Sequence, residues 1–343
     1  MCGFMKKFWL INGGYEKKLT TVNRPATNVD VRQAGKLASH QFSLVEKIAG
    51  AFGGLRLRFF PRRILVAGPY VGEFGHELMD WQPWVRAQIA RHDEVHVITF
   101  PGRDYLYPGC KVHYHEVKLE NAGYRHGRCT PRQLEQMARK KAAELGLKNY
   151  DVMTALHICT AYHRKFLLPA KFELLGQPPA SGQFRDVAFH FRQVQKEGPD
   201  QTRNYPPELC DRVVALCRAQ NLRCFCVGHP RYAYCPAGVE DRRSEDLATS
   251  VAAIRAARLL AGELSGPMHL AQLSGVPILI WADGQWRIDG CLDWNVFRVP
   301  IYIIAKDTFR PDPDRVAGKI VEALADLRQR TDDFRQPACT LPK

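Results

Sequence analysis

The feature that most constrains the fold is a regular alternation of strand and helix patterns in the second half of the sequence. Continuously apolar runs alternate with amphipathic segments, and the joints between them are short. This alternation predicts a parallel sheet with helices on both faces, because parallel strands need crossover connections. The predicted strands are 186–191, 222–227, 259–262 and 277–281, and the predicted helices are 207–220, 246–257, 267–273 and 313–330.

The first half of the sequence begins the same pattern. An apolar run at 63–67 suits a strand that is buried on both faces. A glycine-rich joint then leads into a predicted helix over 76–91 that contains Pro83, so this helix is either kinked or begins later. The other predicted elements of this half are strands at 95–100 and 111–117 and a helix over 131–145 that Thr130 caps.

The two halves together predict an α/β protein with two Rossmann-like domains whose parallel sheets face a cleft. Open sheets of this kind bind ligands at the carboxyl ends of their strands. A stretch rich in Pro, Ser and Gly at 177–183 is the predicted main boundary. The predicted units are a basic extension at 1–62, a first domain at 63–180, a second domain at 181–312, and a helix and tail at 313–343.

Positive charge is concentrated at the start of the chain. The net charge is +14, and residues 1–63 carry twelve Lys and Arg against three acidic residues. Such a field attracts anionic partners, which include nucleic acid, acidic lipid surfaces, phosphorylated glycans and nucleotide diphosphates. No apolar run reaches the ~18 residues of a membrane-spanning helix, so we expect a cytoplasmic protein that is soluble or peripheral to a membrane. The basic segment is either a solvated tail or a docking element.

The eleven cysteines do not have the spacing of a disulfide framework or of a structural zinc site. Cys210 and Cys217 share a face of a predicted helix, and Cys224 and Cys226 share a face of a predicted strand. We therefore expect buried, reduced thiols in a reducing compartment, no bound metal, and no cofactor.

The strongest local motif follows the predicted strand 259–262. A Ser265-Gly266 turn leads directly into a helix with Pro267 at its first position, followed by Met268 and His269. The N–H groups and the positive dipole end of such a helix can hold a diphosphate. The alternative is an ordinary strand-to-helix joint with a serine cap.

This run, together with the Gly-Val-Pro strand after it, resembles the nucleotide-sugar-binding domain of the ADP-heptose lipopolysaccharide heptosyltransferase family. The resemblance covers about 186–282 and includes a basic-x-aromatic-Pro segment that begins at Arg203. It implies the GT-B fold and a nucleoside-diphosphate sugar as donor substrate. The family commonly has Asp directly before Ser-Gly, whereas this chain has Leu264 there and Glu263 one position earlier.

Basic residues near the carboxyl end of the strand 186–191 are candidates for the diphosphate. His190 and Arg192 lie on one face of that strand, and Lys196 and Arg203 follow it. The planar guanidinium of arginine suits a diphosphate and can neutralise a leaving nucleotide without a metal. The alternative for each residue is a pair with a surface carboxylate.

The glycine-rich joint after the first strand carries the candidate base. Glu73, His76 and Glu77 fall within five residues at the lip of the predicted cleft. An inverting transferase needs a carboxylate or a histidine to take the proton of the acceptor hydroxyl. We expect Glu77 or Glu73 to act as this base with the assistance of His76. The alternative is that the three residues have capping and structural roles.

The sequence therefore predicts a metal-independent, inverting glycosyltransferase of polysaccharide biosynthesis. It would transfer a sugar to a hydroxyl of an anionic glycan or glycolipid, with the basic N-terminus on an anionic membrane face. A DNA glycosyltransferase that acts on a modified base is an alternative, because such enzymes share this fold and need a basic surface. A polysaccharide pyruvyl transferase-like enzyme and a non-catalytic nucleotide-binding protein are further alternatives.

Overall fold

A computed structural model describes residues 63–117, 129–154, 170–179, 184–194 and 203–329, all within one compact unit, Pro61–Pro337. The strands are β1 (Ile64–Ala67), β2 (Glu94–Thr99), β3 (Lys111–Tyr114), β4 (Tyr150–Met153), β5 (Arg185–Arg192), β6 (Cys224–Cys226), β7 (Ala233–Tyr234), β8 (Glu240–Asp241), β9 (Ala257–Glu263), β10 (Ile278–Trp281) and β11 (Ile301–Ala305). The helices are α1 (74–89), α2 (Pro131–Glu144), α3 (Pro207–Ala219), α4 (Leu247–Arg255), α5 (Gly266–Leu273), α6 (Gln285–Asp293) and α7 (Pro313–Gln329).

The first sheet is parallel and has the strand order β3-β2-β1-β4. Ile64 of β1 is paired with Glu94 of β2 on one side and with Tyr150 of β4 on the other. The order reverses between β1 and β4, and the chain that leaves β1 begins α1. A ligand-binding crevice is expected at such a reversal, outside the carboxyl ends of the strands.

The second sheet has the order β11-β10-β9-β5-β6-β8, and these strands are parallel. The short strand β7 pairs antiparallel with the end of β5. Counted from β5, this is the doubly wound order 3-2-1-4-5-6, with its reversal between β5 and β9. The predicted α/β class, with two parallel sheets, is confirmed.

Buried side chains from both sheets form one continuous apolar cluster, which includes Trp81, Phe189 and Trp281. The final helix α7 contributes Val316 and Ile320 to that cluster, so it is part of the same core. Among the described residues, no helix has the combination of length and apolar character needed to cross a membrane.

The helix α1 differs from its prediction in its start and its regularity. It begins at Phe74, and its segment Glu77–Trp81 is π-helical, with the Gln82 N–H bonded to the Glu77 carbonyl oxygen. Pro83 explains this turn, because a proline has no N–H and clashes with the carbonyl four residues before it. The strand at 111–117 is also shorter than predicted.

The prediction omitted β4, β7, β8, β11 and α6. Strands β7 and β8 have two residues each, whereas β11 is a continuous apolar run that the prediction overlooked. The basic extension 1–62 and Lys196 lie outside the described residues, as does the part of the predicted boundary at 180–183. The division into units at 62, 180 and 312 stays a prediction.

Candidate active site

Two helix starts meet at the carboxyl edges of the two sheets. A Cβ atom placed on Gly75 of α1 would lie 3.2 Å from His269 Cδ2 and 3.8 Å from Gly266 Cα of α5. A Cβ atom on Gly266 would lie 2.8 Å from Phe74 Cδ1. The glycines thus allow the backbones of α1 and α5 to approach closely, and the positive dipole ends of both helices are brought together.

Ser265 does not cap α5. Its backbone is extended, its side chain makes no cap hydrogen bond to the first turn, and its hydroxyl donates to the Glu263 carbonyl oxygen at 3.0 Å. The next residue but one, Pro267, has no N–H to satisfy. Met268 is fully buried, and its Cε would lie 2.6 Å from a Cβ on Gly262, so its side chain is part of the core at the end of β9.

Glu263 is a buried carboxylate at the reversal point of the second sheet. Its Oε2 accepts the Arg192 N–H at 3.1 Å, and its Oε1 accepts the Tyr205 N–H at 2.8 Å. Burial raises the pKa of Glu263 to about 7, despite the opposing effect of these two donors and of the Arg192 charge. The carboxylate therefore joins the ends of β5 and β9 to the chain before α3.

Arg192 and Arg203 are both held close to that carboxylate. Arg192 Nη1 donates to Asn204 Oδ1 at 2.8 Å, and Arg203 Nη2 donates to the Leu264 carbonyl oxygen at 3.0 Å. The second bond places the Arg203 guanidinium beside Leu264, the residue that directly precedes Ser265. The two positive charges predicted to serve a diphosphate thus lie at the same strand ends as the start of α5.

Tyr205 joins this region to the end of the chain. Its backbone N–H is bonded to Glu263, and its hydroxyl donates to the Pro311 carbonyl oxygen at 2.8 Å. Its ring is stacked with Phe191 and tilted against Trp281, with centroid distances of 6.2 and 5.4 Å. Tyr205 therefore holds both the carboxylate of Glu263 and the segment that leads into α7.

His269 is buried in the first turn of α5. Its Nδ1 lies 2.9 Å from Gln272 Oε1, and its ring meets Trp294 edge-on at 4.8 Å between centroids. Burial lowers the pKa of His269 to about 4. The imidazole is therefore neutral at physiological pH and does not add a charge to the site.

His76 and Asp80 lie on the first-sheet side of the same place. His76 Nδ1 is 2.6 Å from Asp80 Oδ2, one helical turn later, and both side chains are largely buried. The His76 ring also meets Trp294 in an edge-type contact, at 5.1 Å between centroids. Trp294 thus contacts His76 of α1 and His269 of α5.

Glu77 and Glu73 have different environments. Glu77 is completely buried in the π-helical turn, where its Oε1 accepts the Thr99 hydroxyl at 2.7 Å and the Tyr107 hydroxyl at 2.8 Å. Glu73 is exposed at the start of α1 and its side chain does not cap that helix. Of the three predicted candidates for a base, His76 is the one that has a carboxylate partner and lies close to α5.

The structure therefore brings together Glu263, Arg192, Arg203, Ser265 and Gly266, with His76 across from them. Sequence reasoning missed two neighbours, Asp80 and Arg103. The spacing of four residues between His76 and Asp80 on a helix was a usable signal. Arg103 follows the end of β2 in the sequence, which was a weaker signal.

No protein-family model and no curated protein sequence matches this chain. Solved structures do match. E. coli ADP-heptose lipopolysaccharide heptosyltransferase II is 15% identical, with 78% of this chain and 99% of that chain covered at a TM-score of 0.50. A glycosyl transferase family 9 protein from Veillonella parvula is 11% identical, with 77% and 97% covered at a TM-score of 0.49. The first likeness confirms the predicted GT-B fold.

A dodecameric iron-containing glycosyltransferase from enterotoxigenic E. coli is 18% identical at a TM-score of 0.39. The match covers 64% of this chain and 58% of the length of that protein. Among the residues described for the present chain, no three His, Cys, Asp or Glu side chains converge as a metal-binding group.

Proposed function

We propose that this protein is a glycosyltransferase that moves a sugar from a nucleoside-diphosphate sugar to a hydroxyl of an anionic glycan or glycolipid. The observation that carries the proposal is the position of the His76 and Asp80 pair against the start of α5, where Arg203 is bonded to the Leu264 carbonyl oxygen. The proposed base and the helix start proposed to bind the anion thus lie beside each other.

The second sheet would bind the donor. Its reversal point between β5 and β9 is where doubly wound sheets bind nucleotides. The start of α5 offers uncapped backbone donors and a positive dipole end, and Arg192 and Arg203 add two full charges. These groups can stabilise the negative charge that develops on the departing diphosphate, which makes a metal-independent reaction feasible.

The first sheet would bind the acceptor, and His76 is the proposed base. The acceptor oxygen forms a bond to the anomeric carbon of the sugar while the bond from that carbon to the diphosphate oxygen breaks. The acceptor proton passes to Nε2 of His76, since Nδ1 faces Asp80, and the carboxylate stabilises the imidazolium that forms. A single displacement of this kind inverts the configuration at the anomeric carbon. Glu73, exposed at the rim, is the second candidate for the base.

The charge of the chain supports an anionic acceptor. The net charge of +14 is concentrated in the N-terminal segment, where each Lys or Arg close to an anionic membrane adds ~1 kcal/mol of attraction. A phosphorylated glycan or glycolipid at the inner face of a membrane fits that charge, and polysaccharide biosynthesis is the corresponding process.

A thermal-shift screen against nucleoside diphosphates and their sugars tests the donor site, because a ligand that binds the native state raises the melting temperature. We expect at least one nucleoside diphosphate and its sugar to raise it. Release of the nucleoside diphosphate in the presence of an anionic glycan acceptor then tests transfer. Binding without any turnover would favour a non-catalytic nucleotide-binding protein, and no shift with any ligand would contradict the donor site.

A further inference from the structure

Arg103 lies in the turn that follows β2, where the first sheet approaches the second half of the chain. Its carbonyl oxygen accepts the Leu106 N–H at 2.9 Å and so begins the short 3-10 helix Asp104–Leu106. A Cβ atom on the adjacent Gly102 would lie 3.9 Å from the Glu245 carbonyl oxygen. The turn after β2 thus lies beside the segment of the chain that follows β8.

An aromatic ring holds the guanidinium of Arg103 in place. Its Cζ lies 4.0 Å from the centroid of the Phe74 ring, a cation–π distance. Its partner acid is Glu77, but the distance from Arg103 Nε to Glu77 Oε2 is 3.7 Å, which is longer than a hydrogen bond. Within the described part of the chain, the guanidinium donates no hydrogen bond, and Glu77 Oε2 accepts none.

Phe74 places this cation beside the donor-side helix. The edge of the ring lies against Gly266, the first residue of α5, while Arg103 covers its face. The Arg103 side chain is 17% exposed, so its charge is partly removed from water yet accessible to a small anion. Burial is the largest cause that lowers the pKa of His229, and the Arg103 charge adds to it, so the field of Arg103 reaches the second half of the chain.

We infer that Arg103 binds the diphosphate of the donor from the first-sheet side, opposite Arg192 and Arg203. The inference rests on the proposed function, because it assigns a third cation to the same substrate group. The planar guanidinium presents several donors in fixed directions, a geometry that matches phosphate oxygens. A ring-stacked arginine is already ordered, so it loses little side-chain entropy when the anion binds.

A purely structural role is the competing explanation, in which Arg103 only balances the charge of buried Glu77. That role needs a positive charge at this position but no directed donors. Arg103→Lys keeps the charge and loses the planar fork, whereas Arg103→Gln loses both. The two substitutions therefore separate a ligand contact from a contribution to folding.

The experiment measures the affinity of inorganic pyrophosphate for the full-length protein by calorimetry. The variants are Arg103→Gln, Arg103→Lys and Arg203→Gln, and Arg132→Gln on the exposed face of α2 is the charge-matched control. Circular dichroism and the melting temperature of each free variant establish that it is folded. We expect Arg103→Gln to weaken pyrophosphate binding by about 10- to 100-fold, the range of a hydrogen bond to a charged group.

We expect Arg103→Lys to fold like the parent protein and to bind pyrophosphate more weakly than it, while Arg132→Gln binds like the parent. Unchanged binding in both Arg103 variants, with a loss in Arg203→Gln, would overturn the role of Arg103 and leave the donor site in place. No pyrophosphate binding by the parent protein would overturn the donor site and the Arg103 contact together.

Discussion

His76 Nδ1 lies 2.6 Å from Asp80 Oδ2, so a carboxylate orients an imidazole of α1 that shares Trp294 with the start of α5. We predict that His76→Gln lowers kcat by about 100- to 10,000-fold, the usual contribution of a general base. The dissociation constant of the nucleoside diphosphate should not change. Asp80→Asn should lower kcat by a smaller factor, because the base would remain and would lose its orientation and the charge that stabilises the imidazolium.

Steady-state turnover and calorimetry on the same preparations check this prediction, with Glu73→Gln as the comparison. Loss of turnover in Glu73→Gln together with full turnover in His76→Gln would reassign the base to Glu73. Glu77→Gln is expected to act mainly on stability, because Glu77 is enclosed and accepts two hydroxyl groups.

Gly262 lies where strand β9 passes β5 with no room for a side chain. A Cβ atom there would be 2.2 Å from the His190 carbonyl oxygen, which belongs to the neighbouring backbone and cannot rotate away. We predict that Gly262→Ala lowers the free energy of unfolding by about 1–3 kcal/mol or more, as overpacking does. Gly318→Ala, at an open and exposed position of α7, should raise it by about 1 kcal/mol. Urea denaturation measures both, and equal effects would contradict the assigned packing.

The buried carboxylate of Glu263 should make stability depend on pH. Its pKa is about 7 in the folded protein and near 4.5 when unfolded, so its contribution is fully present below pH 4.5 and is lost as the pH rises through 7. Relative to Glu263→Gln, the parent protein should lose about 2 kcal/mol of unfolding free energy between pH 5.5 and pH 8.5.

Comparison with the variant cancels the opposite effect of His190 and His269, whose pKa values burial lowers to about 4. These two imidazoles stabilise the fold above pH 6.5 and destabilise it as the pH falls from there towards 4. Chemical denaturation at several pH values provides the measurement. If the difference in unfolding free energy between parent and variant stays constant with pH, burial does not raise the pKa of Glu263.

Cys224 should be the most reactive thiol among the four cysteines of α3 and β6. A hydrogen bond from the Cys217 thiol lowers the pKa of Cys224, and the side chain is only half buried. Burial raises the pKa of Cys210 and of Cys226, and the bond to Cys224 raises that of Cys217. Alkylation at pH 8 followed by peptide mass spectrometry should therefore modify Cys224 first. Earlier modification of Cys217 would contradict this order, and Cys224→Ser identifies the modified peptide.

The sequence predicted the central strands and the helices between them because their apolar runs are long and uninterrupted. Both ends of strands β5 and β9 and of helices α3 and α7 were predicted to within two residues. Helix α6 was missed because it has an exposed Trp286 and no clear apolar face. Strand β11 was also missed, although its five residues form a continuous apolar run at the edge of the second sheet.

The positions of the residues proposed for the donor side follow more directly from the sequence than the positions of those proposed for the acceptor side. The motif at Ser265 is continuous in sequence, and Arg192 and Arg203 follow from the end of β5. The burial of the Glu77 side chain could not be predicted, because it depends on Thr99 and Tyr107, which are distant in sequence. The π-helical turn that Pro83 introduces rotates the residues before it, and a periodicity of 3.6 does not account for that rotation.

Tyr205 extends the site to α7, the last helix among the described residues. Its hydroxyl is bonded to Pro311, two residues before α7 begins, and its N–H is bonded to Glu263. A chain that stopped before residue 311 would lose the acceptor for this hydroxyl and the helix that covers α3, although it would keep every residue proposed to touch the donor. A premature stop codon there is therefore expected to abolish donor binding without removing a single substrate contact.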